Sequence, residues 1–238
     1  MQDTLPAQIE NIELLSHLSR ERLSLVAQSC MWRRFKRGEQ ILSRDSESRD
    51  LYFVASGKVE VANFSSNGRE IAYATIAEGG YFGELSAIDD RPRSAAVTAS
   101  EDCVVAVMPR TAFIDLIRDD PQVSLTVINR LANVIRACDE RIMDLSTLGA
   151  VQRVYVEILR LCGPDPAVRN LWSVYPMPTQ ADIAARASTT RETVARVLGQ
   201  LTQSGLVQRK GRTLYINDRE TLKAMSDNSE AARPEPVS

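Results

Sequence analysis

The stretch Thr189–Thr190–Arg191–Glu192–Thr193–Val194–Ala195–Arg196 predicts the start of a helix with one charged face. Thr189 and Glu192, three residues apart, form a capping-box pattern for the first turn. Apolar residues then recur at the spacing of one helix face: Val194, Val197, Leu198 and Leu201. Arg191, Glu192 and Arg196 fall outside this stripe and project together near the helix start. Because arginine pairs with guanine and glutamate with the cytosine amino group, the triplet suits a DNA major groove.

The flanking sequence predicts a winged helix-turn-helix around this helix. A short helix over 179–187 comes first, with Thr179 as its N-cap, and the small side chains of Ala184 and Ala187 allow a close helix crossing. Beyond the charged helix, two strand-like runs flank 210–212 and predict a basic hairpin. An ordinary helical subdomain is the alternative, but it explains neither the charged triplet nor the basic hairpin.

The charge of the chain is distributed unevenly. The formal net charge is −2, yet residues 169–219 hold eight basic and three acidic residues, a net charge of +5 that leaves about −7 elsewhere. A basic end attached to an acidic body is typical of a DNA-binding domain joined to a sensing or partner-binding domain. A solvated charged surface remains the alternative on charge alone.

Composition restricts the class of protein. The 238 residues suffice for one large or two modest domains, with 44% hydrophobic and 25% charged residues. Four scattered cysteines without a CxxC pair predict neither a zinc site nor a disulfide framework. No apolar run is long enough for a membrane span, and the first residues do not resemble a signal peptide. We therefore expect a cytoplasmic protein without a bound metal or a membrane partner.

The first half of the chain predicts a β-structure with a ligand loop. Short runs rich in Val, Ile, Tyr and Phe, separated by glycines, extend over 31–109 and indicate a small antiparallel barrel or roll. Within it, Gly83 allows a close approach of backbone to ligand, and a short helix starting near Glu84 offers free N–H groups. Arg93 is able to hold a phosphate. A structural Glu–Arg ion pair in a barrel loop is the alternative at this point.

A long helix over 121–148 carries a repeating apolar seam. Its members step by three and four residues: Ile128, Leu131, Ile135, Cys138, Ile142 and Leu145. This spacing favours a coiled-coil homodimer over a single helix packed on its own domain. Two recognition helices about 34 Å apart would read a palindrome. Gly149, just past the seam, is a candidate hinge.

The motif Gly83–Glu84–Leu85, followed by Arg93–Ser94–Ala95, resembles the phosphate-binding cassette of cyclic-nucleotide-binding domains. With the long helix and the charged triplet, the chain resembles the cyclic-AMP receptor branch of the CRP/FNR regulators over 14–216, with Clr-type regulators as a related subgroup. The resemblance implies an α+β fold with a β jelly roll, a coiled-coil dimerisation helix and a winged helix-turn-helix. It also implies cyclic AMP as allosteric ligand, bound through the cassette residues Gly83, Glu84, Leu85, Ser86, Arg93 and Ser94. Glu84 would bind the ribose 2′-hydroxyl, and Arg93 with Ser94 the cyclic phosphate.

The resemblance also assigns base and DNA contacts. Cys138 and Asp139 stand where the family's cyclic-AMP receptor has a threonine and a serine against adenine, and Asp139 accepts hydrogen bonds only. Ser94 is a hydroxyl residue of the kind that favours cyclic GMP in related domains, so we expect both nucleotides to bind. Arg191, Glu192 and Arg196 would read a half-site like TGTGA. Three more residues complete the expected DNA contacts: Thr179, Gln180 and Thr190. Thr179 would lie against DNA phosphate, and Gln180 replaces a basic residue common in the family, which removes one phosphate contact.

These inferences predict four segments. They are a sensor domain over 1–119, a dimerisation helix and hinge over 120–149, a DNA-binding domain over 150–225 and a disordered tail over 226–238. The expected function is a cyclic-nucleotide-dependent transcription regulator with double-stranded DNA and RNA polymerase as partners. A regulator of the same fold that responds to another small molecule, or that binds DNA constitutively, stays open. No histidine and carboxylate cluster for catalysis is evident, so we expect no enzyme.

Overall fold

The computed structural model describes residues 9–64, 70–166, 168 and 171–227. The chain divides into two compact units, Met1–Ile135 and Arg136–Ser238. Each unit has its own hydrophobic core. In the part of the chain that the structure describes, no helix is long and apolar enough to cross a membrane.

The first unit is built on two antiparallel four-stranded sheets. Their orders are β1–β8–β3–β6 and β2–β7–β4–β5. The strands are β1 (Met31–Phe35), β2 (Gln40–Leu42), β3 (Leu51–Ser56), β4 (Lys58–Phe64), β5 (Glu70–Ala77), β6 (Tyr81–Phe82), β7 (Ala96–Ala99) and β8 (Cys103–Met108). Strand β3 is buried almost throughout, because both of its faces meet apolar side chains. The predicted β jelly roll is confirmed.

Helices of the first unit pack against this roll. A 3-10 turn (Glu13–Leu15) precedes α1 (Arg20–Ser29), α2 (Glu84–Asp89) follows β6, and α3 (Arg110–Asp119) follows β8. Leucines of the 3-10 turn, α1 and Phe113 of α3 share one core with β3 and β8. Asp120 then accepts hydrogen bonds from the backbone N–H groups of Gln122 and Val123, which fixes the start of the next helix.

The long helix α4 (Pro121–Thr147) crosses the boundary between the two units. Its first turns are anchored, because Val123 and Val127 are buried in the first core. The predicted seam is different: Ile135 is 61% exposed and Ile142 is 60% exposed. Leu131 of the seam packs partly against the first core, whereas Ile135 and Ile142 are open to solvent in the single chain.

The second unit contains α5 (Ala150–Leu161), β9 (Gly163–Pro164), β10 (Trp172–Val174), α6 (Gln180–Arg186), α7 (Arg191–Gln203), β11 (Val207–Lys210), β12 (Thr213–Ile216) and α8 (Arg219–Asp227). Its sheet has the order β11–β12–β10–β9. Helices α6 and α7 with the β11–β12 hairpin form the predicted winged helix-turn-helix. The hairpin turns at Gly211, whose φ of 59° is left-handed and favours glycine.

The sequence predicts a disordered tail from residue 226, and this start is two residues too early. Ser226 and Asp227 belong to α8, and Ser226 is buried, with its hydroxyl donating to the carbonyl of Lys223. A polar composition suggests disorder from residue 226, whereas the apolar face of α8, including Leu222, extends the core to this point. The remaining residues, 228–238, lie outside the described part of the chain.

Candidate functional sites

The loop before α2 brings the cassette residues together. Gly83 has a φ of 89°, and a Cβ atom there would lie 2.6 Å from Arg93 Nη1 and 3.0 Å from the Asp50 carbonyl oxygen. Only glycine fits this position, because both the backbone conformation and the space exclude a side chain. Ser86, one turn into α2, is buried and donates to the carbonyl of Pro92 at 3.4 Å. The loop and the segment around residue 93 are therefore held as one structure.

Arg93 is a buried cation at the centre of this structure, only 2% exposed. Its guanidinium donates to the carbonyl oxygens of Gly83 (2.9 Å) and Asp50 (2.6 Å) and to Ser48 Oγ (2.9 Å). No carboxylate lies within ion-pairing distance of Arg93 among the residues that the structure describes. Desolvation accordingly lowers the pKa of the guanidinium. A buried positive charge without a counterion attracts an anion.

Glu84, at the first position of α2, is also buried. Its Oε1 lies 3.7 Å from Nε of Arg130, an arginine of α4. Arg130 in turn donates to the Tyr81 carbonyl at 2.7 Å and its guanidinium carbon lies 4.2 Å from the Tyr81 ring centroid. The ion pair expected as the alternative use of the cassette, Glu84 with Arg93, is therefore not formed. Arg130 was missed by sequence reasoning, because no local motif marks it.

The remaining cassette residues differ in exposure. Leu85 is 42% exposed. Ser94 is exposed, and its carbonyl oxygen accepts a 2.9 Å hydrogen bond from Asn63 Nδ2. Cys138 and Asp139 are exposed on α4 in the second unit, whereas the other six predicted ligand residues lie in the first.

Several unpaired buried polar atoms lie at or beside this cassette. In the described part of the chain, four such side-chain atoms without a hydrogen-bond partner belong to it or contact it: Asn63 Oδ1, Tyr81 Oη, Arg93 Nε and Arg130 Nε. Buried polar groups are nearly always paired in folded proteins, so each of these atoms calls for an explanation. Donors and acceptors are both present among them.

The helix-turn-helix is held by caps and a shared core. Thr179 Oγ1 accepts from the N–H of Asp182, whose carboxylate accepts from the Thr179 N–H at 2.9 Å. Ile183 of α6 packs in one cluster with Val194 and Val197 of α7. The apolar stripe predicted for α7 is therefore its buried face.

The predicted cap of α7 is wrong by one residue. The N-cap is Thr190, whose Oγ1 accepts from the Thr193 N–H at 3.3 Å. Thr189 is buried instead, and its N–H donates to the Ala184 carbonyl at 2.9 Å. Ser188 takes a left-handed φ of 49° in the turn, which places Thr189 against α6 rather than at the helix start.

The charged triplet is exposed at the start of α7. Arg191, Glu192 and Arg196 are all exposed, next to exposed Thr190. The pKa of Glu192 is lowered by its own backbone N–H and by the Thr190 hydroxyl, so the carboxylate is ionised at neutral pH and accepts hydrogen bonds only. At the start of α6, Thr179 is exposed and Gln180 is partly exposed.

Two further arginines fix the turn of this motif and were not predicted. Arg153 of α5 donates to the carbonyls of Leu148 (2.8 Å), Ala187 (2.9 Å) and Ser188 (3.1 Å). Arg141 of α4 donates to Ser188 Oγ at 3.0 Å. Both lie within the second unit. The C-terminal end of α4 is therefore bonded to the turn between α6 and α7.

Metal-binding side chains do not gather within the described ranges. No cluster of three or more histidine, cysteine, aspartate or glutamate residues occurs there. The single histidine, His17, places Nε2 3.1 Å from Asp120 Oδ1, in a contact that also includes Arg22.

Comparisons with known proteins agree with this geometry. Residues 32–120 match the model of the cyclic nucleotide-binding domain, and residues 152–225 match that of the Crp-like helix-turn-helix domain. The chain is 30% identical over 217 residues to the "Cyclic AMP receptor protein" of Thermus thermophilus, covering 90% of this chain and 96% of that protein. The chain belongs to the CRP/FNR family. As a CRP/FNR protein, it is a transcription regulator with a cyclic-nucleotide-binding domain and a DNA-binding domain, and the family is not one of enzymes.

A second curated relative and a solved structure extend the comparison. The "cAMP-activated global transcriptional regulator Vfr" of Pseudomonas aeruginosa is 28% identical over 191 residues, which is 79% of this chain and 89% of that protein. A solved structure of a CooA mutant from Carboxydothermus hydrogenoformans superposes with a TM-score of 0.73 at 20% identity, covering 84% of this chain and 88% of that one. The latter match concerns the fold alone.

Proposed function

We propose that this protein is a homodimeric transcription regulator that reads a palindromic DNA site when cyclic AMP is bound. The observation that carries the proposal is the buried guanidinium of Arg93, without a carboxylate partner in the described chain and hydrogen-bonded to the Gly83 carbonyl. A cyclic phosphate supplies the missing negative charge. The names of relatives such as the Thermus and Pseudomonas proteins support the same ligand.

In this proposal, different cassette residues bind different parts of the nucleotide. Arg93 and Ser94 hold the cyclic phosphate, with backbone help around Gly83, and Glu84 accepts from the ribose 2′-hydroxyl. Ser86 and Leu85 belong to the supporting helix. Cys138 and Asp139 are proposed as base contacts on the resemblance alone.

Cyclic GMP is the second proposed ligand. Ser94 provides an exposed hydroxyl residue beside Arg93, and the carboxylate of Asp139 would accept from guanine N–H groups. Calorimetry with cyclic GMP and with GMP tests this point. Tighter binding of the cyclic form is expected, and equal affinities would contradict the second ligand.

The exposed face of α7 supports the DNA-reading half of the proposal. Arg191 and Arg196 would pair with guanine and Glu192 with cytosine in a TGTGA-like half-site, while Thr179, Gln180 and Thr190 contact the backbone. The exposed seam of α4 would pair two copies, so that two readers face two half-sites. Ligand binding would then favour the dimer arrangement with the correct spacing.

One experiment tests both sites together. Random DNA is selected by the purified protein without ligand, with cyclic AMP and with cyclic GMP. A palindrome enriched only with nucleotide is expected. Equal enrichment without ligand would favour a constitutive DNA binder, and no enrichment in any arm would favour another small-molecule signal. Transcription in vitro from the selected site, with RNA polymerase, tests the proposed polymerase partnership.

A further inference from the structure

Asn63 is a buried amide next to the cassette. Its side chain is 5% exposed, and Nδ2 donates to the Ser94 carbonyl at 2.9 Å and to the Tyr73 hydroxyl at 3.2 Å. A carbonyl oxygen only accepts hydrogen bonds, so the NH2 group must face Ser94. The orientation of the amide is therefore fixed, and Oδ1 points away from Ser94.

Oδ1 of Asn63 is left without a hydrogen-bond partner in the part of the chain that the structure describes. A buried carbonyl acceptor is costly to leave unpaired, and this one belongs to an amide whose Nδ2 is bonded to the residue next to Arg93, so it calls for an explanation. Because Oδ1 accepts only, the partner that it lacks is a hydrogen-bond donor.

Tyr73 is directed to Asn63 by an irregularity in the sheet. Val61 pairs with Ala74 and Ala62 pairs with Ala72, so Tyr73 is the extra residue of a β-bulge. Bulges commonly re-aim a side chain beside a functional site. The Tyr73 side chain is exposed, and its oxygen accepts from Asn63, which leaves its O–H free to donate.

We propose that Asn63 and Tyr73 read the base of the bound nucleotide. Together they offer one acceptor, Asn63 Oδ1, beside one donor, Tyr73 O–H. Adenine presents an amino donor next to a ring-nitrogen acceptor, and guanine presents N1–H next to O6, so either purine edge complements the pair. The inference rests on the proposed cyclic-nucleotide function and deepens it, since it assigns the base contact within the first unit to two residues of the β4–β5 hairpin.

The test uses two ligands that differ by one donor. Calorimetry compares cyclic AMP with purine riboside 3′,5′-cyclic monophosphate, which lacks the 6-amino group, on the full-length protein. The wild type should bind the second ligand about tenfold more weakly, as expected for a buried acceptor that loses its donor. Asn63→Leu should bind both ligands equally. Tyr73→Phe should weaken the binding of both ligands by the same factor, because both retain the ring nitrogen to which the Tyr73 hydroxyl is proposed to donate.

The controls separate reading from support. Tyr215→Phe, in the wing, removes the same hydroxyl far along the chain and should leave both affinities unchanged. If Asn63→Leu weakened the binding of both ligands by one common factor, the ratio of their affinities would stay as in the wild type. Asn63 would then merely support Ser94, and the inference would be overturned. Equal affinities in the wild type would overturn it as well, while leaving the cyclic-nucleotide function intact. Failure of the wild type to bind cyclic AMP or cyclic GMP at all would instead overturn the proposed function. Melting curves check that each variant folds, and Tyr73→Phe remains informative if Asn63→Leu does not.

Discussion

Nη1 of Arg93 donates a 2.9 Å hydrogen bond to the carbonyl oxygen of Gly83, ten residues earlier in the chain. This bond joins the two halves of the cassette, and the left-handed conformation of Gly83 makes room for it. The guanidinium is thus preorganised by backbone carbonyls rather than by an acidic side chain. Its charge remains available to an anionic ligand.

Arg93→Ala should abolish the response of DNA binding to cyclic AMP. The variant removes the buried charge that we propose holds the phosphate. The protein loses three hydrogen bonds but also the desolvation cost of a buried cation, so we expect it to fold. A gel shift with and without nucleotide measures the response, and a melting curve checks folding. Arg91→Ala is the matched control, because Arg91 is exposed two residues away. A full response of the Arg93 variant to cyclic AMP would refute the assignment.

Glu84→Gln should remove discrimination for the ribose hydroxyl. The glutamine amide keeps the shape of the glutamate side chain but lacks its negative charge. That charge strengthens the proposed hydrogen bond from the 2′-hydroxyl and pairs with Arg130. Wild-type protein should bind 2′-deoxy cyclic AMP roughly tenfold or more weakly than cyclic AMP, consistent with a charge-assisted bond of about 1.5–3 kcal/mol. The variant should bind the two ligands within a few-fold of each other. An undiminished preference in calorimetry would place the ribose contact elsewhere.

Arg191→Ala should weaken binding to the selected palindrome far more than binding to random DNA. A bidentate arginine–guanine contact contributes about 1–3 kcal/mol of discrimination per half-site. Arg212→Ala, in the exposed turn of the wing, is the comparison, because a phosphate contact should weaken both DNAs alike and reduce the salt slope by about one. Fluorescence anisotropy at several salt concentrations distinguishes the two patterns. Equal losses for Arg191→Ala would make it a phosphate contact.

Ile135→Asp should convert the dimer to a monomer without unfolding the protomer. Ile135 is 61% exposed in the single chain, so a charge there meets water in the monomer but an apolar seam in a dimer. Sedimentation velocity measures the oligomeric state. Asn133→Asp, on the same helix but at the heptad position opposite the seam, should remain dimeric. A dimeric Ile135 variant would show that the interface lies on another surface.

Glu157→Gln should stabilise the protein at neutral pH. Glu157 is buried in the second unit, and desolvation raises its pKa despite Arg186 at 3.9 Å. A carboxyl group with a raised folded-state pKa binds its proton more tightly when folded, so its stabilising contribution is present at low pH and is lost as the pH rises through that pKa. The melting temperature of the variant should therefore exceed that of the wild type at pH 7, and the difference should shrink toward pH 4. A variant that melts lower at pH 7 would mean that the Arg186 ion pair outweighs desolvation.

The fold was accessible to sequence reasoning wherever a short-range pattern carried it. Periodicity identified α4 and the buried face of α7, and glycine spacing identified the roll. The predicted cap of α7 failed because the spacing of Thr189 and Glu192 matches a capping box, whereas the left-handed turn at Ser188 makes Thr190 the N-cap. That turn buries Thr189 against α6, which is a tertiary effect.

The candidate sites were only half accessible for the same reason. Glu84 and Arg93 belong to a recognisable motif, but their partners come from distant segments without one. Arg130 reaches Glu84 from α4, and Asp50 contributes a carbonyl that any residue could supply. Asn63 attracts attention through its burial and its unpaired oxygen, neither of which a sequence reveals.

The three carbonyl bonds of Arg153 bear on how regulators of this kind could be recombined. The Arg153 side chain, which follows Gly149, donates to the carbonyl of Leu148, which precedes it, and to the carbonyls of Ala187 and Ser188 in the turn. These bonds therefore bridge Gly149 and connect the end of the long helix to the turn. The compact second unit likewise begins at Arg136, inside α4. A chimera that takes its DNA specificity from another regulator should therefore be joined within the long helix, ahead of Arg141, because a junction at Gly149 would separate the reading helix from the helical segment to which it is bonded.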